Sequence, residues 1–129
     1  MSLKPNYTNP SSDELTTAIN KIRKDNGLKP LTEDVRLNHS AFDKANDMLN
    51  KNYWSHIDPQ GKPIWEKMKQ EGYDYQYAGE NLANKYDNKG SVDAWMKSEF
   101  HKKNILNSHY ANMGVGRAGD FTVVHFGKE

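Results

Sequence analysis

Apolar residues recur at helical spacing in two segments of the N-terminal half of the chain. In the first segment they are Leu15, Ala18, Ile19 and Ile22. Intervals of three and four residues place them on one face of a helix. Ser11 and Glu14 stand three positions apart before this pattern, as in a capping box, and Asn26-Gly27 follows it. The pattern predicts a helix that Ser11 caps and Gly27 ends.

The second segment predicts a longer helix, from Thr32 to about Lys51. Its apolar stripe consists of Leu37, Ala41, Ala45 and either Met48 or Leu49. Thr32 is the predicted N-cap, because its hydroxyl can accept a hydrogen bond from a first-turn N–H group. Glu33 and Asp34 come next, where carboxylates suit the positive end of the helix dipole.

Three shorter helices are predicted in the C-terminal half. Pro63 suits a first helical position, and a helix that starts there ends before Gly72. Ser91 is the predicted N-cap of the next helix. The last helix is predicted over residues 101–106.

The end of the chain is rich in strand-forming residues. Two such runs occupy residues 113–117 and 121–126, and Ala118-Gly119-Asp120 lies between them. A glycine-containing connection of this length predicts an antiparallel hairpin. Because two strands alone are marginally stable, we expect a further strand from the tyrosine-rich stretch 73–83. Helices packed around a small antiparallel sheet define the α+β class.

Composition fits one folded domain and excludes several classes of function. The chain has 129 residues, of which 11% are aromatic, enough for one domain with a packed core. A net charge of +1 lacks the basic surplus of a nucleic-acid-binding protein. No apolar run reaches the length of a membrane span. We interpret residues 1–10 as a cloning scar with an irregular lead-in, and residues 11–129 as a single domain.

Cysteine is absent, so disulfides and thiol chemistry are excluded and the chemistry must come from other side chains. Glu80 stands in an apolar stretch directly after Gly79. A carboxylate there costs free energy unless it is hydrogen-bonded, paired or bound to a cation. Gly79 permits a close approach that a side chain would block.

Two histidines are the candidate partners of Glu80. His56 lies in a turn-rich loop whose backbone can aim the imidazole inward. His101 lies near a helix start, where the dipole favours the neutral ring. Brought together, two imidazoles and one carboxylate can hold a divalent ion and leave a water position open. The sequence by itself does not bring them together, since it has no local metal motif such as H-E-x-x-H.

A third histidine, His125, falls inside the last predicted strand, on the same face as Phe121 and Val123. This position favours a packed, hydrogen-bonded side chain. The alternative is that His125 lines a cleft.

Four sequence blocks resemble bacterial members of the CAP superfamily, which have an SCP-like extracellular domain. The blocks are residues 54–61 (WSHIDPQG), 77–83 (YAGENLA), 94–107 (AWMKSEFHKKNILN) and 114–116 (GVG). They occur in the family's order with similar gaps, and the resemblance covers residues 12–127. The missing cysteines place the chain with the cysteine-free bacterial branch.

The resemblance implies a three-layer α-β-α sandwich with a cleft lined by two histidines and acidic residues. His56, Glu80 and His101 fall on the family's cleft positions, and several relatives bind zinc or another divalent ion through the two histidines. Ser98 stands where eukaryotic members have a second glutamate, which argues against a mechanism that needs two carboxylates. Asn81 and Asn104 are expected to line the same cleft.

Three functions are compatible with this cleft. The first is a secreted or cell-surface module that binds a divalent metal, expected to be zinc, and a lipid, glycan, peptide or surface protein. The second is a metal-dependent hydrolase, such as a peptidase, in which His56, Glu80 and His101 are catalytic. In the third, the polar side chains only fix the fold. The resemblance favours binding over turnover and an extracellular or cell-surface location, with the signal peptide outside this sequence.

Overall fold

A computed structural model describes residues 13–129 of the chain. Five helices and four strands lie in this range. In chain order they are α1 (Glu14–Asp25), β1 (Thr32–Glu33), α2 (Val35–Lys51), α3 (Trp65–Gln70), β2 (Tyr77–Asn84), α4 (Asn88–Met96), α5 (Glu99–Ile105), β3 (Asn112–Ala118) and β4 (Phe121–Lys128). None of the helices in this range has the length and apolar character needed to cross a membrane.

The sheet has the strand order β1-β3-β4-β2. Strands β3 and β4 form the predicted antiparallel hairpin, in which Ala118 pairs with Phe121 across a two-residue turn. Strand β2 is the predicted third strand, and it pairs antiparallel with β4 along its whole length. Strand β1 pairs with β3 in parallel over two residues, so the sheet is antiparallel except at this edge.

Helices cover both faces of the sheet. Helix α2 packs on β3 and β4, while α1, α4 and α5 pack together on the opposite face. Successive residues of each strand point to opposite faces of the sheet, so they contribute to different hydrophobic cores. On β4, Val123 faces α2, whereas Val124 faces the other helices. The predicted three-layer α-β-α sandwich is confirmed.

Two glycines on β3 let α2 lie close to the sheet. A Cβ atom at Gly114 would overlap the backbone of Leu37, and one at Gly116 would overlap the backbone of Ala41. Because no side chain separates helix from strand, the inner face of α2 reaches β4 directly. Ser40 and Lys44 lie on that buried face.

The predicted N-caps were wrong at two helices. Helix α2 is capped by Asp34, whose carboxylate accepts a hydrogen bond from Arg36 N at 2.9 Å. Thr32 cannot serve as the cap because it belongs to β1, where its N–H donates to Ala111 O. Helix α4 is capped by Asp87 instead of Ser91.

The remaining helix starts differ by a few residues from the predictions. Asp13 caps α1, accepting from Leu15 N at 2.9 Å, and the predicted cap Ser11 lies outside the described residues. Helix α3 starts at Trp65 rather than at Pro63, and α5 starts at Glu99. His101 is therefore the third residue of α5 rather than its first.

Candidate functional site

The candidate site lies at the free edge of strand β2. Glu80 is in the middle of this strand and pairs directly with His125 of β4, so the two side chains share one face of the sheet. Glu80 is only 4% exposed and His125 is fully buried. The N-terminal half of α2 and the loop that follows α2 cover this face.

Both oxygens of Glu80 accept hydrogen bonds from imidazole nitrogens. His56 Nδ1 lies 2.8 Å from Oε1, and His125 Nε2 lies 2.7 Å from Oε2. The other nitrogen of His125, Nδ1, lies 2.6 Å from Ser40 Oγ. The result is a continuous chain of polar groups, Ser40–His125–Glu80–His56, that runs from the buried face of α2 to the surface.

The carboxyl group of Glu80 is held in its ionised form. Burial raises its pKa, but the hydrogen bonds from His125 and His56, with the charges of His125 and Lys44, outweigh burial. The net pKa lies below the ordinary value of 4.5. Glu80 therefore carries a negative charge inside the protein at neutral pH.

Lys44 is the nearby buried cation. It is 1% exposed, and its Nζ donates to the main-chain carbonyl of His56 and to Tyr53 OH, both at 3.2 Å. Burial lowers the pKa of Lys44, and the negative charges of Glu80, Asp47 and Asp58 oppose that shift. The lysine thus ties the His56 loop to α2 and partly balances Glu80.

His101 does not join this chain of hydrogen bonds. Successive residues of a strand face opposite sides, so Asn81 points to the α5 side when Glu80 points to the α2 side. Asn81 Nδ2 donates to the carbonyl of His101 at 3.2 Å, and His101 Nδ1 lies 2.8 Å from Ser98 Oγ. Burial and the charge of His56 lower the pKa of His101, which favours its neutral ring.

Asn104 connects α5 to the edge of β2. Its Nδ2 donates to Glu80 O at 3.2 Å and to Asn81 Oδ1 at 2.9 Å, while its Oδ1 accepts from Tyr110 OH at 3.2 Å. A Cβ atom at Gly79 would overlap the Tyr110 hydroxyl. The predicted close approach at Gly79 is confirmed.

A cavity of about 540 Å³ opens beside the Glu80–His56 pair, and it is called the cleft below. Its lining is formed by His56, Ile57, Pro63, Ile64, Trp65, Ala78, Gly79, Glu80, Phe100 and Asn104. Most of these side chains are apolar. His101 and Ser98 line a separate, smaller depression together with Trp54 and Trp95.

The predicted metal ligands do not converge as a set of three. Within residues 13–129 no group of three or more His, Cys, Asp or Glu side chains has the arrangement of a metal centre. Both oxygens of Glu80 bond to imidazoles, and His101 Nδ1 bonds to Ser98 Oγ rather than to Glu80. These residues do not fit a three-ligand centre. Zinc binding stays a prediction.

Sequence reasoning missed three members of the site. His125 is buried and hydrogen-bonded as predicted, but its pairing with Glu80 follows from strand register, which the sequence does not fix. Lys44 and Ser40 lie on the helical face that Leu37 and Ala41 define. Their spacing within that stripe was the available signal that both side chains point inward.

The three-layer sandwich is shared with a solved SCP domain, so the fold is that of an SCP-type domain. The chain belongs to the CAP family, the cysteine-rich secretory protein family, whose model matches residues 16–125.

Two Bacillus subtilis proteins are similar to the chain. YkwD is 39% identical over 113 residues, which are 87% of this chain and 44% of YkwD. The membrane protein YlbC is 36% identical over 107 residues, which are 82% of this chain and 31% of YlbC. The chain thus spans less than half the length of each relative.

Two solved structures share the fold. An extracellular protein with an SCP domain from Bacillus anthracis gives a TM-score of 0.86 at 29% identity, over 90% of this chain and 39% of that protein. An outer surface protein from Borrelia burgdorferi gives a TM-score of 0.84 at 25% identity, over 89% of this chain and 90% of that one.

Proposed function

We infer that the chain is a module of an extracellular or cell-surface protein whose cleft binds a ligand with an apolar body and one polar group. The observation that carries this inference is the cleft of about 540 Å³, whose mostly apolar walls end at the His56–Glu80 pair. The location is supported by the bacterial neighbours, one described as extracellular and one as an outer surface protein.

Large apolar side chains are exposed at the rim of the cleft. Phe100 is 65% exposed and Ile57 is 46% exposed. Exposed apolar groups next to a concave surface are typical of a binding site. They favour an amphiphile such as a fatty acid over a glycan, because hydroxyl groups would lose their hydrogen bonds with water against these walls.

His56 supplies the polar end of the cleft. Its Nδ1 is engaged by Glu80, so Nε2 is the nitrogen that remains for a ligand, and the side chain is 42% exposed. Because Glu80 is buried and fixed by His125, it holds the orientation of the His56 ring. The ligand therefore meets an imidazole that is already oriented, which reduces the entropic cost of binding.

The experiment is a titration with dodecanoate below its micelle concentration, followed by tryptophan fluorescence, since Trp65 lines the cleft. We expect a saturable change in the wild type and weaker binding in Phe100→Ser. Tyr86→Ser is the matched control, because Tyr86 is 54% exposed and does not line the cleft. No saturable change in the wild type, or equal losses in both variants, would contradict the proposal.

Hydrolysis is the second candidate, because a buried carboxylate that orients a half-exposed histidine is an arrangement used for general-base catalysis. In that case His56 Nε2 would take the proton of an attacking water. The test is incubation with a mixed peptide library, with and without a chelator. Cleavage that His56→Ala abolishes supports a hydrolase, whereas no cleavage leaves the binding function.

The zinc prediction is tested separately by calorimetry. Zinc is titrated into the wild type and into the His56→Ala/His101→Ala double variant. Heat of binding that the double variant loses supports an ion shared by the two imidazoles. Equal heats in both proteins exclude a shared site.

A further inference from the structure

A second cavity, larger than the cleft, lies where the C-terminal end of α1 meets the start of β2 and the loop between α5 and β3. Its volume is about 760 Å³, and it is called the basic cavity below. Its lining is formed by Arg23, Gly27, Leu28, Lys29, Pro30, Thr32, Gln76, Tyr77, Ser108, His109, Tyr110, Ala111 and Lys128. None of these described residues is acidic, although three are Lys or Arg and the whole chain carries a net charge of only +1.

Arg23 is the buried cation of this cavity. It is 1% exposed, and its hydrogen bonds to the main-chain carbonyls of Lys29, Ile105 and Asn107 use only Nε and Nη1. Within residues 13–129 no carboxylate forms an ion pair with Arg23, and burial alone lowers its pKa. The bonds to carbonyls explain why the side chain is held rigidly. They leave its positive charge without a counter-charge from the described residues.

Two exposed lysines add charge at the rim. Lys29 follows the end of α1, and Lys128 is the last residue of β4. A guanidinium and two ammonium groups around one cavity match a ligand with two negative charges. A phosphate monoester carries nearly two at neutral pH, whereas a carboxylate carries one.

An aromatic pair provides a flat wall of the basic cavity. The rings of Tyr77 and His109 stack with centroids 4.4 Å apart and an angle of 7° between their planes. Both residues are exposed. The face of such a pair can pack against a sugar or another ring, and hydroxyl groups of Thr32 and Ser108 are available for hydrogen bonds nearby.

We propose that the basic cavity is a second binding site, which takes a phosphate monoester carried on a sugar or a similar ring. The phosphate lies between Lys29 and Lys128, over the buried positive charge of Arg23, and the ring packs on the Tyr77–His109 pair. This site is independent of the cleft, since its lining shares no residue with that of the cleft.

The test is an NMR titration of amide signals at low salt with glucose 6-phosphate, inorganic phosphate and glucose. Glucose 6-phosphate is expected to give saturable shifts around Tyr77 and Ser108, with a dissociation constant of about 1 mM or lower. Inorganic phosphate should bind more weakly, and glucose should not bind. Tyr77→Ser should reduce the affinity for glucose 6-phosphate to that for inorganic phosphate.

Matched charge variants decide whether this cavity is the site. Lys29→Ala/Lys128→Ala should weaken binding about tenfold, because two charge-assisted contacts are lost. The control Lys97→Ala/Lys103→Ala removes the same charge from exposed positions that do not line the cavity, and it should leave the affinity unchanged. The proposal is overturned by the absence of saturable shifts, by equal losses in the two double variants, or by equal affinity for glucose 6-phosphate and inorganic phosphate.

Discussion

The cleft and the basic cavity differ in whether the buried charge beside them has a counter-charge. In the cleft, the carboxylate of Glu80 receives hydrogen bonds from His56 and His125 and lies near the cation of Lys44. In the basic cavity, the guanidinium of Arg23 has only main-chain carbonyls as partners among the described residues. The first charge is balanced by neighbouring side chains, whereas no side chain within residues 13–129 balances the second.

This difference indicates what each cavity can bind. A charge that is already balanced orients a neighbouring group, and here Glu80 orients His56 beside apolar walls. An unbalanced charge attracts a counter-ion, because burial removes the water that would otherwise solvate it. The cleft is therefore suited to an apolar ligand and the basic cavity to an anion.

Glu80→Gln should have the largest effect on stability. The amide cannot balance His125 and Lys44, so we expect a loss of about 3 kcal/mol in the free energy of unfolding at neutral pH. Because the pKa of Glu80 is lowered in the folded state, its contribution is present above about 4.5 and is lost as the pH falls through the folded pKa. Urea unfolding of both proteins between neutral and acidic pH measures the difference.

The difference in unfolding free energy between the wild type and Glu80→Gln should become smaller at acidic pH. A gap that stays constant down to low pH would show that the charge of Glu80 does not contribute. Glu99→Gln is the control for the change in net charge, since Glu99 is exposed on α5, and it should alter stability by less than about 0.5 kcal/mol.

Gly79→Ala should have an intermediate effect and should disturb both cavities. The added methyl group overlaps the hydroxyl of Tyr110, which lines the basic cavity and bonds to Asn104 of the cleft. We expect a loss of about 2 kcal/mol in thermal or urea unfolding, as for an overpacked core. Tyr110→Phe should partly restore stability in the Gly79→Ala background, because it removes the overlapping atom. If Tyr110→Phe changes stability equally in the wild type and in Gly79→Ala, the overlap with the Tyr110 hydroxyl is not the cause of the lost stability.

His101→Ala should have the smallest effect. His101 is only partly buried, and its ring bonds to Ser98 rather than to Glu80. We expect a loss of about 0.5 kcal/mol, against about 3 kcal/mol for His125→Ala, which removes a fully buried partner of Glu80. Urea unfolding of the two variants compares them directly. Similar losses would mean that His101 contributes to the Glu80 network as much as His125 does.

The sequence predicted the elements more reliably than the contacts of the site. Apolar spacing located α1 and α2, and the turn at Gly119 located the hairpin, because these signals are local. The predicted caps of α2 and α4 were wrong, because an aspartate close to each predicted residue, Asp34 and Asp87, caps the helix instead. Several residues near a helix start can serve as its cap, and tertiary contacts decide which of them does. The pairing of β1 with β3 is such a contact, because it places Thr32 in a strand.

The need of Glu80 for partners was predictable, but the second of its two histidine partners, His125, was not. A carboxylate in an apolar strand must be compensated, and His56 was correctly placed beside it. Whether His101 or His125 is the second partner of Glu80 depends on the register of β2 and on the face of the sheet that Glu80 occupies. Alternation along the strand places Asn81 with α5 and His101, and that assignment requires the strand bounds to be known.

The binding function proposed for the cleft depends on an ionised Glu80, and a carbon-13 NMR titration of its side-chain carboxyl group measures the pKa of this residue. We predict a titration midpoint below the ordinary pKa of 4.5 in the wild type and a higher midpoint in His56→Ala, which lacks one of the two donors. A wild-type midpoint above 4.5 would show that Glu80 is not stabilised as a carboxylate, because burial would then outweigh the two histidines.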